Sequence, residues 1–414
     1  MITLRQYQVD IANEGQHIIE KYGMLYLAMQ VRTGKTHTAM ATLDKIGAKR
    51  ALFITKKKAI ASILKDHGDG GYKFDLHVTN YEQLGKFDAS TFDAYVIDEA
   101  HCLGAFPKPS VRTKLLKKII WHKPVIFLSG TPSAESYSQI YHQLYISMHS
   151  PYYRYYNFYA WAKDYVDVKQ VQRGPYLTND YSCANEEKIK KDLEPIMLTY
   201  TQEEAGFVSP VVEHFHEVED DAVISRCKEL FRNRVIEFVD ILPHSPVMKV
   251  VADTPASLMS KLHQISGGTC ITDNGTRYIS SAKIRYIKEN FKNKKLAIYY
   301  KFVGELELIK RVFHDITSSP EEFNSSDNKV FVSQISSGRE GITLSSADCI
   351  CFVNIDYSAV SYWQARARLQ SLNRTKPAEI HWIFAKGGIE KKVYKAVSNK
   401  INFTASYFFK QCQF

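Results

Sequence analysis

The sequence predicts an α/β protein with two doubly wound, parallel-sheet lobes, a helical linker and an aromatic-rich accessory insert. Three observations carry this expectation. Short apolar runs alternate with helix-compatible stretches near the N-terminus, and the same texture returns near the C-terminus. A Gly-Lys-Thr sequence follows the first run, and an acidic pair follows a later one, as sites at the carboxyl ends of parallel strands require. The length of 414 residues exceeds what one compact core usually organises.

In chain order, 25–28, 51–54, 94–97 and 125–128 are continuous apolar runs of strand length and read as buried parallel strands. Residues 1–145 therefore form the first lobe. Residues 146–200 form an accessory segment dense in rings, with Tyr152, Tyr153, Tyr155, Tyr156, Phe158, Tyr159, Trp161 and Tyr165 close together. Two readings stay open for it. One is an accessory helix that packs its rings. The other is a platform in which Trp161 and its neighbours stack on bases, with Arg154, Lys163, Lys169 and Arg173 interleaved. Residues 201–275 are mostly helix-compatible and read as a helical linker. Residues 276–414 form the second lobe, with strands expected at 296–300, 329–332, 349–353 and 380–384.

Composition narrows the function. No stretch approaches the roughly 20 apolar residues that cross a bilayer, and the opening residues lack a signal-peptide core. An intracellular, cytoplasmic protein is expected, with no membrane partner. The seven cysteines include no Cys-x-x-Cys pair, which argues against structural zinc and suits a reducing compartment. His214 and His216 alternate in the manner of strand or surface residues. The formal net charge of +10 favours a polyanionic partner, although a cluster such as Lys56-Lys57-Lys58 is equally a solvated surface.

The chemistry concentrates at two strand ends. The first strand runs into Met29-Gln30-Val31-Arg32-Thr33-Gly34-Lys35-Thr36, followed by a helical pattern. Such a loop surrounds phosphates with backbone N–H groups; Lys35 reaches the β- and γ-phosphates and the Thr36 hydroxyl holds Mg²⁺. Met29 stands where the usual first glycine would be. The third apolar run ends in Asp98-Glu99-Ala100-His101. There Asp98 would hold Mg²⁺ and Glu99 would orient and deprotonate the attacking water.

The string Asp-Glu-Ala-His resembles the signature of superfamily 2 helicases and translocases, and further motifs follow in the family's order. The resemblance implies two RecA-like lobes that bind ATP between them. It implies that Arg5 and Gln8 reach the nucleotide, Gln8 reading adenine, with Thr33, Gly34, Lys35, Thr36, Gly341 and Arg368 completing that site. Thr55 and Lys56, then Thr79, Asn80 and Tyr81, resemble motifs that touch the nucleic-acid backbone. Ser129-Gly130-Thr131-Pro132 resembles the motif coupling ATP state to DNA grip, with Ser129, Thr131 and Gln364 as coupling residues. Ser337 and Gly338 join the fifth motif on the nucleic acid. The chain is most similar to the Swi/Snf group, through Ser-Gly-Thr-Pro and 262–268, and to its compact bacteriophage members. That resemblance implies duplex, forked or branched DNA as partner, ATP and Mg²⁺ as cofactors, and fork remodelling or strand annealing as output. Phage or host replication and recombination proteins are implied as further partners. RNA is compatible with the core motifs.

One departure bears on mechanism. The family's sixth motif carries arginines four and seven residues after its glutamine. From Gln364 these positions are Arg368 and Ser371. Arg366 would point roughly 200° away from Arg368 on a helix, so Arg368 is the expected finger and Arg366 a brace or DNA contact. The missing second arginine leaves an alternative open, an ATP-gated DNA clamp with little hydrolysis.

Overall fold

The computed structural model describes residues 3–86, 88–133, 135–173, 176–207, 209–239, 247–338, 344, 346–358, 361–362, 364, 369–370, 374 and 376–399, with only the backbone at 173, 176, 337 and 338. The chain divides into two compact units, Met1–Phe207 and Val208–Phe414. Each is built on a six-stranded, all-parallel sheet, which makes the protein a pair of RecA-like lobes.

In the first unit, helix α1 (Gln6–Tyr22) leads into β1 (Met24–Met29) and α2 (Lys35–Lys45). Then come β2 (Arg50–Thr55), α3 (Ile60–Gly70), β3 (Asp75–Asn80), β4 (Ala94–Ile97), α4 (Val111–Ile120) and β5 (Val125–Leu128). After α5 (Gln139–Leu144) and α6 (Phe158–Tyr165), the antiparallel pair β6 (Lys169–Arg173) and β7 (Tyr176–Asp180) precedes α7 (Glu186–Leu193) and β8 (Met197–Tyr200). The sheet order is β3-β2-β4-β5-β1-β8. Strands β4 and β5 are buried along their whole length, because helices cover both faces of a parallel sheet. The carboxyl ends of β1, β2, β3, β4 and β5 therefore open on one edge, where ligands bind in such sheets.

The aromatic segment belongs to this unit's core. Trp161 is fully buried, stacked on Tyr165 at 5.0 Å and packed against Tyr141, Phe158 and Tyr152 at 5.2–5.6 Å. The expectation that Trp161 stacks on nucleic-acid bases is corrected: an indole with no exposed face has none to offer. Among the described residues, the exposed rings of the segment are Tyr153, Tyr156 and Tyr159.

The second unit begins with β9 (Val211–Val218), α8 (Asp221–Asn233), β10 (Val235–Phe238), β11 (Met248–Val251), α9 (Pro255–Ser266), β12 (Thr269–Thr272) and β13 (Gly275–Tyr278). Its main sheet continues through α10 (Ala282–Asn290), β14 (Leu296–Tyr300), α11 (Val303–Val312), β15 (Ile316–Thr317), β16 (Val330–Gln334), β17 (Cys349–Phe352) and β18 (Ala378–Ala385). The order is β15-β16-β14-β17-β18-β9. Residues 201–275, expected as a helical linker, hold α8 and α9 but also β9, which pairs with β18 from Val211↔Ala378 to Val218↔Ala385. The second sheet thus starts before residue 276. Alternate residues of β14 face opposite cores: Ala297 and Tyr299 pack with Phe331 and Phe352, whereas Leu296 and Ile298 pack with Val332 and Cys351.

Polar groups tie this unit together internally. Lys283 and Glu390 form a buried ion pair, and the Lys283 ammonium also donates to the Val353 carbonyl at 3.0 Å. Burial pushes the Glu390 carboxyl up, against the pull of Lys283. Among the described residues, no helix is long and apolar enough to cross a membrane.

Candidate nucleotide-binding site

The loop between β1 and α2 is shaped by two left-handed residues, Arg32 at φ 67° and Gly34 at φ 84°. Alternation of this kind turns successive backbone N–H groups toward one side, forming a concavity for anions. Met29, in the place of the usual first glycine, is the last residue of β1 and pairs with Tyr200 of β8. The turn is thus made farther along the loop, at Arg32 and Gly34. Its outer side is held by Gln202, whose amide donates to the Val31 carbonyl at 2.9 Å. Inside, the Thr33 hydroxyl donates to the Gln30 carbonyl at 2.8 Å.

The N-terminal segment closes over this loop. Gln8 is buried; its carbonyl oxygen accepts the Arg5 backbone N–H at 2.9 Å and its amide donates to the Gly34 carbonyl at 3.3 Å. Tyr7 donates to the Thr33 carbonyl at 2.9 Å and stacks on Tyr200 at 4.5 Å. Arg5 is exposed, its guanidinium donating to the Tyr7 hydroxyl at 3.1 Å. Gln8 therefore lies against the phosphate loop, whereas Arg5 reaches it only through Tyr7 and Gln8. Tyr7 and Gln202 were not singled out, since a loop brace carries no motif.

Lys35 opens α2, and its ammonium donates to the Met29 and Gln30 carbonyls at 3.0 and 3.2 Å. Desolvation pulls its pKa below the usual lysine range, while Glu99 and Asp98 act to raise it. Asp98 follows β4 directly. Burial and then the neighbouring Glu99 carboxylate push Asp98 up to about 6, opposed by the Thr55 hydrogen bond and by Lys35. Its two carboxylate oxygens accept from the Thr55 hydroxyl at 2.7 Å and from the Glu99 N–H at 2.9 Å.

Glu99 occupies the left-handed region at φ 50°, unusual for a residue with a side chain. Strain of this sort is held in place by its surroundings and clusters at functional sites. His101 Nδ1 lies 3.3 Å from the Glu99 carboxylate and 3.1 Å from the Ser129 hydroxyl, which itself accepts the Thr131 N–H at 3.1 Å. A continuous polar chain thus runs from Glu99 through His101 to Ser129 and Thr131. The two coupling residues expected there are brought to the acidic pair, and His101, given no role from sequence, is the bridge.

The residues present suit a magnesium nucleotide. Mg²⁺ prefers oxygen ligands and takes only one or two protein carboxylates, the rest coming from phosphates and water. Asp98 and the Thr36 hydroxyl are donors of that type, and a cation beside Asp98 and Glu99 would offset the repulsion of two neighbouring carboxylates. Among the described residues, no group of three or more His, Cys, Asp or Glu side chains is placed to hold a metal ion by itself.

The residues expected on nucleic acid separate by burial. Thr55, Thr79, Asn80 and Tyr81 are at most 5% exposed, and Lys56 is half-buried. Asn80 caps the following turn, accepting the Glu82 and Gln83 N–H groups, each at 3.1 Å. In the second unit, Ser337 and Gly338 end a short helix at Ile335–Gly338, and Gln364 is buried. Gly341, Arg366 and Arg368 lie outside the described residues.

No family model matches the chain. Among curated proteins it is similar to the SWI/SNF-related matrix-associated actin-dependent regulator of chromatin subfamily A-like protein 1 of Xenopus tropicalis. The two are 24% identical over 354 residues, covering 79% of this chain and 35% of that protein. The protein of the same name from Xenopus laevis is 23% identical over 360 residues, covering 79% of this chain and 34% of its own length. The chain spans about a third of the length of these relatives. Over most of its own length, then, this two-lobed chain is similar to a portion of SWI/SNF-related proteins.

Proposed function

We propose that the chain is an ATP-dependent DNA translocase or helicase that moves on or remodels duplex, forked or branched DNA. The observation that carries this reading is the placement of Lys35 just past β1 and of Asp98 and Glu99 just past β4, on the two sides of β5 at one edge of the sheet, where both carboxylates act on the lysine and Glu99 is linked through His101 to Ser129. The similarity to SWI/SNF-related proteins supports DNA as the polyanion, as does the net charge of +10. Resemblance to compact bacteriophage members supports a host-cytoplasmic setting.

In this reading the anion-binding loop and Lys35 fix the β- and γ-phosphates. Asp98 and Thr36 would hold Mg²⁺, which supplies charge neutralisation on the phosphates. Glu99 accepts a proton from water as that water attacks the γ-phosphorus, the bond to the bridging oxygen breaks, and ADP departs. His101 keeps the Glu99 carboxylate in place. Through Ser129 it links the presence of the γ-phosphate to the loop 129–132. The resemblance assigns Arg368 the positive charge that assists the reaction.

Phosphate release measured with single-stranded, duplex and forked DNA and with RNA tests the proposal. Turnover stimulated at least tenfold by a DNA structure is expected, together with nucleotide binding but no turnover in Glu99→Gln, because an amide cannot take the proton. Negligible parental turnover with ATP-dependent DNA affinity would favour the clamp. Stimulation by RNA alone would replace DNA as substrate.

A further inference from the structure

We propose that Thr55 and Tyr81 are positioning residues for Asp98, holding its carboxylate and its carbonyl from the ends of β2 and β3. The inference rests on the nucleotide-site reading above, and it gives both residues a role other than nucleic-acid contact.

Thr55 is the last residue of β2 and is fully buried, so water cannot take the place of its hydroxyl. That hydroxyl donates to one Asp98 oxygen at 2.7 Å, while the Glu99 N–H donates to the other at 2.9 Å. The carboxylate plane is thereby set by two donors, one on each oxygen. The Asp98 N–H is also held, donating to the Ile54 carbonyl at 2.8 Å. Tyr81, one residue past β3 and 4% exposed, donates to the Asp98 carbonyl at 2.5 Å. That carbonyl belongs to the peptide leading into Glu99, whose left-handed backbone depends on the orientation of this plane. Thr55 thus orients the metal-binding group, and Tyr81 orients the residue that carries the base.

The placement has a consequence for coupling. Lys56 follows Thr55 and Asn80 precedes Tyr81, so the loops that leave β2 and β3 are one residue from a hydrogen bond to Asp98. A phosphate contact on either loop would be felt at Asp98 through a single covalent step.

A hydroxyl donating to a buried carboxylate is worth enough for its loss to change an equilibrium by about tenfold or more. The test uses the full chain without DNA and a fluorescent ADP analogue titrated across Mg²⁺ concentrations. Thr55→Val keeps the shape and removes the donor. We expect its half-saturating Mg²⁺ to rise about tenfold or more, with nucleotide-free DNA affinity at the parental value, and Thr55→Ser to restore the parental curve. Tyr81→Phe should lower kcat about tenfold with KM unchanged, because it disturbs Glu99 and leaves the phosphate loop alone. A parental Mg²⁺ curve in Thr55→Val, or a loss of DNA affinity in its place, overturns the assignment. A parental chain that binds no nucleotide overturns this inference and the nucleotide site together, whereas an unchanged curve on a binding parent overturns this inference alone.

Discussion

At Gly34 a side chain would collide with Gln8: an added Cβ would lie 2.1 Å from the Gln8 amide nitrogen, at a backbone φ of +84°. Gly47 offers a natural comparison, with φ +71° and nothing within 4 Å of the same position. Both positions carry the penalty of a left-handed alanine, roughly 1–2 kcal/mol. Only Gly34 also forces Gln8 away from the loop. Gly47→Ala should therefore lower stability in urea and leave nucleotide binding intact. Gly34→Ala should lower stability further and weaken nucleotide binding at least tenfold. Equal nucleotide affinities in the two variants would remove Gln8 from the site. The residue types here were legible from sequence, because Gly-Lys-Thr and Asp-Glu have few other uses at strand ends. Burial was legible for the apolar runs but not for single polar or aromatic residues. Thr55 and Trp161 have residue types that suit a nucleic-acid contact, and only packing reveals that each faces inward.

Among the elements, the eight strands expected from apolar runs are β1, β2, β4, β5, β14, β16, β17 and β18, the interior members of the two sheets. The runs at 75–80, 197–200 and 316–317 were not read as strands, and at 211–218 only the alternation of His214 and His216 suggested a strand or surface segment; these are the four edges, β3, β8, β9 and β15. The reason is physical: an edge strand is covered less completely, so its sequence mixes polar with apolar residues and never becomes a continuous run. Strand β9 carries Glu213, His214, His216 and Glu217 for this reason. Its histidines face β18, where His214 stacks on His381 at 4.7 Å and His216 Nε2 meets His381 Nδ1 at 2.9 Å. Tyr286 of α10 touches His216 at 3.0 Å, and Glu379 lies 3.8 Å from His381. Burial, then His214 and His216, pull His381 down to about 4, and Glu379 only partly opposes them. Burial and His214 also lower His216. An unfolded histidine titrates near 6.5, so between pH 6.5 and 4 the unfolded chain binds more protons than the folded one. The stability of this seam is therefore complete above pH 6.5 and is lost as pH falls toward 4. The unfolding free energy from urea titrations should drop between pH 6.5 and 5 by up to about 1.4 kcal/mol per pH unit through His381. His381→Gln should have a shallower slope than the parent; identical slopes would show that the seam does not titrate.

For the whole molecule, the recurrence of one α/β texture was enough to predict two lobes, but it did not locate their division. The reason lies in β9, which leads the second unit in sequence yet sits at the far edge of its sheet beside β18. Among the described residues, each unit has its own sheet and its own hydrophobic cores, one in the first unit and two in the second. A segment with a complete core of its own is expected to fold alone. Residues 1–207 produced as a fragment should therefore unfold in a single cooperative urea transition. The fragment contains the phosphate loop, Gln8, Thr55, Asp98 and Glu99, so it should bind a magnesium nucleotide. It lacks Arg368, the proposed arginine finger, and such a finger is worth roughly 10³–10⁵ in rate. Turnover by the fragment should accordingly fall at least a thousandfold below that of the full chain on its best DNA. Arg368→Ala in the full chain should reproduce most of that loss while leaving nucleotide affinity near the parental value. A fragment that never folds would mean that the division at Phe207 does not separate two folding units. A folded fragment with parental turnover would mean that no residue beyond 207 takes part in the chemistry, and Arg368 would lose its assignment.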